Sequence, residues 1–114
     1  MPSHFQFDTH AGNDATILTL TGELDLAASP TLEQELSKAF GSDADLVMVD
    51  LRQLDFMDST GLSVLVRAHH MAEENGRRFV LVNGSHQVQR LLALTGIAER
   101  MTLVDSPDEA LGAS

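Results

Sequence analysis

Three features of the chain predict an α/β fold in which a mixed sheet of about five strands is packed with about four helices. Two short, unbroken apolar runs, Leu46-Val47-Met48-Val49 and Phe79-Val80-Leu81-Val82, have the composition of strands covered on both faces, as at the centre of an α/β sheet. Stretches with helical periodicity lie between and after them, and turn-forming residues punctuate the chain. The length of 114 residues suits one domain, taken as residues 1–114. A chain of this size can bury roughly 65% of its unfolded surface without covalent staples.

Phe5-Gln6-Phe7 alternates apolar and polar, as a half-exposed strand does. Ala11-Gly12-Asn13-Asp14 supplies turn chemistry, and Thr16 to Thr21 is rich in β-formers, with Leu18 and Leu20 on one face. An opening hairpin is expected from these. Gly22-Glu23-Leu24-Asp25 reads as the break that ends its second strand. Ser29-Pro30 reads as N-cap and first helical residue of a helix whose inner face is Leu32, Leu36, Ala39 and Phe40, with Gly41 as its stop. The buried strand Leu46 to Leu51 follows, and a helix from about Leu62 to Asn75 comes next. After the second buried strand, Asn83-Gly84-Ser85 turns into a third helix with Val88, Leu91 and Leu92 inward and Gly96 as its stop. Thr102-Leu103-Val104 is a brief last strand, and Ser106-Pro107-Asp108-Glu109 is a capping-box start for a short final helix.

The helix after Ser59 has an unusually wide apolar face. At a helical period, Leu62, Leu65, Val66, His69 and Ala72 share a stripe, and Val64, Ala68 and Met71 widen it to about 220°. An ordinary surface helix needs little more than about 100°. Either neighbouring helices flank this one or part of the Val64/Ala68/Met71 strip is left for a partner. His69, on the stripe, reads as a satisfied core residue.

Composition removes several function classes. There are 7 basic against 17 acidic residues, for a net charge of -10, and such a chain is repelled by nucleic acid and by anionic membrane surfaces. The absence of cysteine leaves no disulfide framework, thiolate nucleophile or Cys-based zinc site. The five histidines lack the spacing of a zinc helix, so no metal is expected. No Gly-x-Ser-x-Gly elbow, Gly-x-x-x-x-Gly-Lys loop or Gly-x-Gly-x-x-Gly turn occurs. Neither catalytic residues nor a cofactor are therefore expected. The start, Met1-Pro2-Ser3-His4-Phe5-Gln6, has no secretory pattern, and no apolar run approaches the ~18 residues of a bilayer span. A cytoplasmic location is expected.

The chemistry concentrates in Leu54-Asp55-Phe56-Met57-Asp58-Ser59-Thr60-Gly61-Leu62. This stretch delivers an acid, two hydroxyls and a glycine to the first turn of a helix. Its N–H groups there have no intrahelical partner, and the helix dipole is positive at that end. A phosphoryl group on Ser59 or Thr60 would be well placed. The simpler reading is that Asp58 or Ser59 is an N-cap and Gly61 eases the turn. Asp25, Asp55 and Asp58 could gather near the helix start.

Leu20-Thr21-Gly22-Glu23-Leu24-Asp25, together with that nine-residue stretch and Val88-x-Arg90-Leu91-Leu92-x-Leu94-Thr95-Gly96, resembles the STAS domain family. More narrowly, it resembles the anti-anti-sigma factors (anti-sigma factor antagonists) of bacterial partner-switching systems. The resemblance covers nearly the whole chain and implies a single STAS-like domain. It implies that Ser59 is phosphorylated by an anti-sigma factor serine kinase, with Thr60 the neighbouring hydroxyl and Asp25 near the phosphosite and the kinase-binding surface. Asp58, Thr60, Gly61 and Val64 join Asp25 as expected partner-binding or phosphosite-support residues. The unphosphorylated form is expected to bind the anti-sigma factor and free the sigma factor, phosphorylation to end that binding, and a PP2C-type phosphatase to restore it. A monomer or weak dimer is expected. The alternative within the resemblance is a STAS scaffold or transport-associated subunit of a larger complex.

Overall fold

The computed structural model describes residues 4–12 and 14–111; Met1, Pro2 and Ser3 of the expected non-secretory start and Asn13 of the expected turn lie outside these. Its elements run β1 (Gln6–Ala11), β2 (Ala15–Leu24), α1 (Ser29–Phe40), β3 (Leu46–Met57), α2 (Ser59–Glu74), β4 (Arg78–Val82), α3 (His86–Leu94), α4 (Ile97–Arg100), β5 (Thr102–Val104) and α5 (Pro107–Leu111). The strands form one sheet in the order β1-β2-β3-β4-β5. β1 and β2 are antiparallel, and each later neighbouring pair is parallel. The expected mixed five-stranded sheet is present, with five helices among the described residues rather than about four. The additional one, α4, is a single turn after Gly96, whose φ of 79° places it in the left-handed region suited to closing α3. Four residues are too few to display a helical period.

Successive side chains of a strand point to opposite faces, and both faces of the central strands are covered, by unequal layers. On one face Leu18, Leu20, Val47, Val49, Leu51 and Leu81 meet Leu32 and Leu36 of α1, Leu62 and Leu65 of α2, and Val88 and Leu92 of α3. On the other, Leu46, Met48, Val80 and Val82 form a smaller cluster against which Ile17, Val104 and Ala110 of α5 are packed. This two-sided cover is why β3 and β4 read as unbroken apolar runs.

The neighbouring helix explains most of the wide arc of α2. Leu36 and Phe40 of α1 face Val64 and Ala68 across a narrow groove, bridged by the Arg67–Glu33 ion pair. Met71 alone of the strip remains exposed. His69 is half-buried, with Nε2 3.6 Å from Glu73 Oε1, so it lies at the margin of the core rather than inside it.

Four boundaries differ from expectation, one of them the start of α2, at Ser59 rather than about Leu62. β2 does not break at Gly22 but continues to Leu24, and β3 runs past Leu51 to Met57. Gly22 adopts φ 95°, and a Cβ there would sit 1.9 Å from the carbonyl oxygen of His4. Glycine therefore lets the chain entering β1 pass close beside a strand that goes on. Ser29 is not the cap of α1: its hydroxyl donates to the Asp25 carbonyl (2.8 Å), and the Asp25 carboxylate accepts from the Ala28 N–H (3.0 Å) instead.

Asp50, 3% exposed, is the one buried carboxylate among the described residues. It accepts from Arg52 Nε (3.0 Å) and a terminal guanidinium nitrogen (2.8 Å), and from the Arg52 N–H (3.0 Å). Hydrogen bonding and then charge from Asp50 raise the guanidinium above its ordinary pKa. Removing the guanidinium leaves a buried carboxylate short of partners, a costly state. Arg52→Ala is expected to lower stability by about 2 kcal/mol, read as a lower urea midpoint at unchanged slope.

Candidate functional site

The two sequence motifs, far apart in the chain, are neighbours in the sheet. In the parallel β2·β3 ladder Thr21 pairs with Gln53, Gly22 with Leu54, Glu23 with Phe56 and Leu24 with Met57. Beyond the ladder the Asp58 N–H donates to the Leu24 carbonyl at 3.1 Å. The β2–α1 loop and the start of α2 therefore leave the sheet side by side.

Asp58 is the N-cap of α2. Its Oδ1 accepts from the Gly61 N–H at 3.0 Å, the usual capping bond. Its Oδ2 accepts from the Leu26 N–H at 3.1 Å, across to the β2–α1 loop. One carboxylate thus satisfies an orphan helix donor and pins the neighbouring loop. Gly61 is buried, and a Cβ there would lie 2.6 Å from Leu24 Cγ and 2.8 Å from the Leu24 carbonyl oxygen. Only glycine lets the first turn of α2 come this close to the end of β2.

Ser59 and Thr60 are the first two residues of α2, so their N–H groups have no intrahelical partner. Ser59 is exposed and Thr60 half-buried. The Ser59 carbonyl accepts from the Ser63 hydroxyl at 2.9 Å, while the Ser59 side chain makes no hydrogen bond among the described residues. Asp25 lies on the adjoining loop, half-buried, holding the Ala28 N–H. The carboxylates of Asp25 and Asp58 are thus engaged separately by backbone donors, and Asp55 is exposed on β3 without a bond to either. Val64, expected to help bind a partner, is 2% exposed and packed in the core, so its side chain offers a partner no surface. No group of three or more His, Asp and Glu that could hold a metal ion occurs among the described residues.

Three large apolar side chains on or just after the motif segments are exposed, which the sequence did not foretell. Leu26 is 70% exposed, Phe56 46% and Leu94 76%. Phe56 and Leu94 share a groove with Met57, Gln87, Arg90 and Leu91, beginning three residues before Ser59. Leu26 follows the Thr-Gly-Glu-Leu-Asp motif, and Leu94 falls off the inner stripe of α3. Those positions are the signals that could have marked them.

Residues 6–110 match the family model for the STAS domain. The chain is 33% identical over 87 residues to the anti-sigma-B factor antagonist of Bacillus subtilis (strain 168), covering 76% of this chain and 78% of that one. It is 27% identical over 112 residues to the anti-sigma F factor antagonist of Paenibacillus polymyxa, covering 97% and 94%. Among solved structures, it is similar to the anti-sigma factor antagonist SpoIIAA in its unphosphorylated form, with TM-score 0.77, 25% identity, and 94% and 92% of the two chains covered. A structure of the Bacillus SpoIIAA in the phosphorylated form gives TM-score 0.72 at 24% identity, covering 96% and 97%.

Asp58→Ala, which loses the cap and the tie to Leu26, is expected to cost about 1–2 kcal/mol. Gly61→Ala, which forces a methyl against the backbone of β2, is expected to cost about 2 kcal/mol. Urea unfolding followed by circular dichroism measures both.

Proposed function

The chain belongs to the STAS domain family, and from that premise we propose that it is an anti-sigma factor antagonist switched at Ser59. In this reading the unphosphorylated chain binds an anti-sigma factor in the cytoplasm and so frees a sigma factor. The anti-sigma factor is also a serine kinase: the Ser59 hydroxyl takes the γ-phosphoryl group of ATP, loses its proton, and ADP leaves. A PP2C-type phosphatase reverses the modification. The observation that carries the proposal is the exposed, unbonded Ser59 hydroxyl at the mouth of a 16-residue helix, within a family whose relatives are named as anti-sigma factor antagonists.

The geometry supports a switch that acts at the interface rather than through refolding. Phosphorylation adds about -1.5 to -2 charge to a chain already at -10. The positive end of α2 accommodates that charge within the fold, and both oxygens of Asp58 are already held by N–H groups. A partner surface matched to a neutral hydroxyl receives it differently. Like unit charges ~4 Å apart repel by about 4 kcal/mol at an effective dielectric of 20, and a mismatch of ~3 kcal/mol weakens binding about a hundredfold. Leu26 and Phe56, exposed beside Ser59, supply apolar area for docking. Asp25, Asp58 and Gly61 hold the two segments in place, and Thr60 lies one residue further into the helix.

Incubation with the cognate anti-sigma factor and ATP is expected to add one phosphoryl group, mapped by peptide mass to Ser59. Ser59→Ala is expected to keep wild-type affinity with ATP present, and Ser59→Asp to bind about a hundredfold more weakly. Phe56→Ala is expected to weaken binding about tenfold, with circular dichroism confirming that the fold is kept. Equal affinity of Ser59→Ala and Ser59→Asp sinks the proposal and favours a scaffold or transport-associated subunit, whose assembly is indifferent to Ser59.

A further inference from the structure

β1 is an edge of the sheet, and its outward backbone groups have no strand partner among the described residues. Natural edges are usually blunted by lysine, proline, a bulge or a covering element. The six residues of β1, Gln6-Phe7-Asp8-Thr9-His10-Ala11, contain neither lysine nor proline, and their pairing with β2 runs without a register shift. Asp8, Thr9 and His10 are exposed, and their side chains make no hydrogen bond or ion pair among the described residues.

Two copies that extend the sheet through this edge are related by a two-fold axis normal to it, and that operation keeps each side chain on its own face. Residues opposed across an antiparallel pair must share a face, so the axis must pass through a residue rather than between two. Only Asp8 and Thr9 as centres overlap nearly the whole strand. Centring on Asp8 opposes two carboxylates, which is destabilising. Centring on Thr9 opposes Thr9 with itself, Phe7 with Ala11, and Asp8 with His10 twice. Each imidazole then meets a carboxylate of the other copy and can donate an N–H to it. On the same face β2 places Thr21, Thr19 and Ile17 opposite Gln6, Asp8 and His10, so β2 adds no charge that would compete.

We propose that β1 is a homodimerisation edge, with a second copy of this chain as its partner and Thr9 on the two-fold axis. The contact is a short strand pair with a polar face, so the dimer is weak and depends on concentration. It uses neither Ser59 nor its helix, and does not rest on the phosphoacceptor reading.

Sedimentation velocity of the full chain from micromolar concentrations up to about 1 mM tests it. The wild type is expected to shift toward a dimer with concentration. His10→Asp, which sets carboxylate against carboxylate twice, is expected to raise the dimer dissociation constant about tenfold or more. The charge swap Asp8→Lys with His10→Asp is expected to restore dimerisation. Circular dichroism of each variant, unchanged from wild type, shows that the exposed edge substitutions leave the fold intact. A wild type that stays monomeric throughout, or a dimer indifferent to His10→Asp, overturns the proposal. So does a loss that the charge swap does not rescue.

Discussion

The Asp58 carboxylate is the interaction on which the site depends. Its two oxygens take one N–H from the first turn of α2 and one from the β2–α1 loop, so one side chain joins the segments carrying Ser59 and Leu26. The tie works because the strands beneath it are already in register: Leu24 opposes Met57, and the Asp58 N–H closes onto Leu24. Gly61 completes it by leaving no room between the helix and the strand end. A short acidic residue and a residue without a side chain do together what neither does alone. One reaches in two directions, and the other permits the closeness that makes both reaches short.

The architecture was legible to the degree that periodicity carries it. The two apolar runs announced central strands because both faces of the sheet are covered, and the inner stripes of α1 and α3 were visible in leucine spacing. The ends of β2 and β3 were not. Gly22 and Leu54-Asp55-Phe56-Met57 carry loop chemistry, and only tertiary pairing makes them strand: Gly22 pairs with Leu54 and Glu23 with Phe56, and Asp55 is the extra residue between, carried at a register shift. Asp58 as a cap could be read from the chain, but its bond to Leu26, 32 residues away, could not. Val64 was placed at a surface because the wide arc of α2 had two explanations, and α1 supplies most of the cover. Ser29 misled for the opposite reason: a Ser-Pro pair is a strong local signal, yet Asp25 lies one turn earlier and takes the backbone donor.

Membership of the STAS domain family gives this arrangement its context, and the switch proposed for Ser59 has a simple physical reading. Charge added at Ser59 falls on the favourable end of a helix dipole and beside a carboxylate already neutralised in part by two donors. In the proposed switch, the fold tolerates the charge that a matched partner surface rejects. Stability and recognition are separated in space: the large core lies under α1, α2 and α3, while the hydroxyl and its exposed apolar neighbours stand at the strand ends.

The lengths of the strands carry one more implication. The β3·β4 ladder ends where Asp50 meets Val82, whereas β3 goes on to Met57 with β2 alone as its strand partner among the described residues. The far edge of the sheet, β5, is three residues long. What ties the overhanging ribbon beneath Asp58 to the rest of the molecule is therefore side-chain packing, with Leu51, Leu54 and Met57 in one core cluster with Leu81 and Leu92, rather than a further strand.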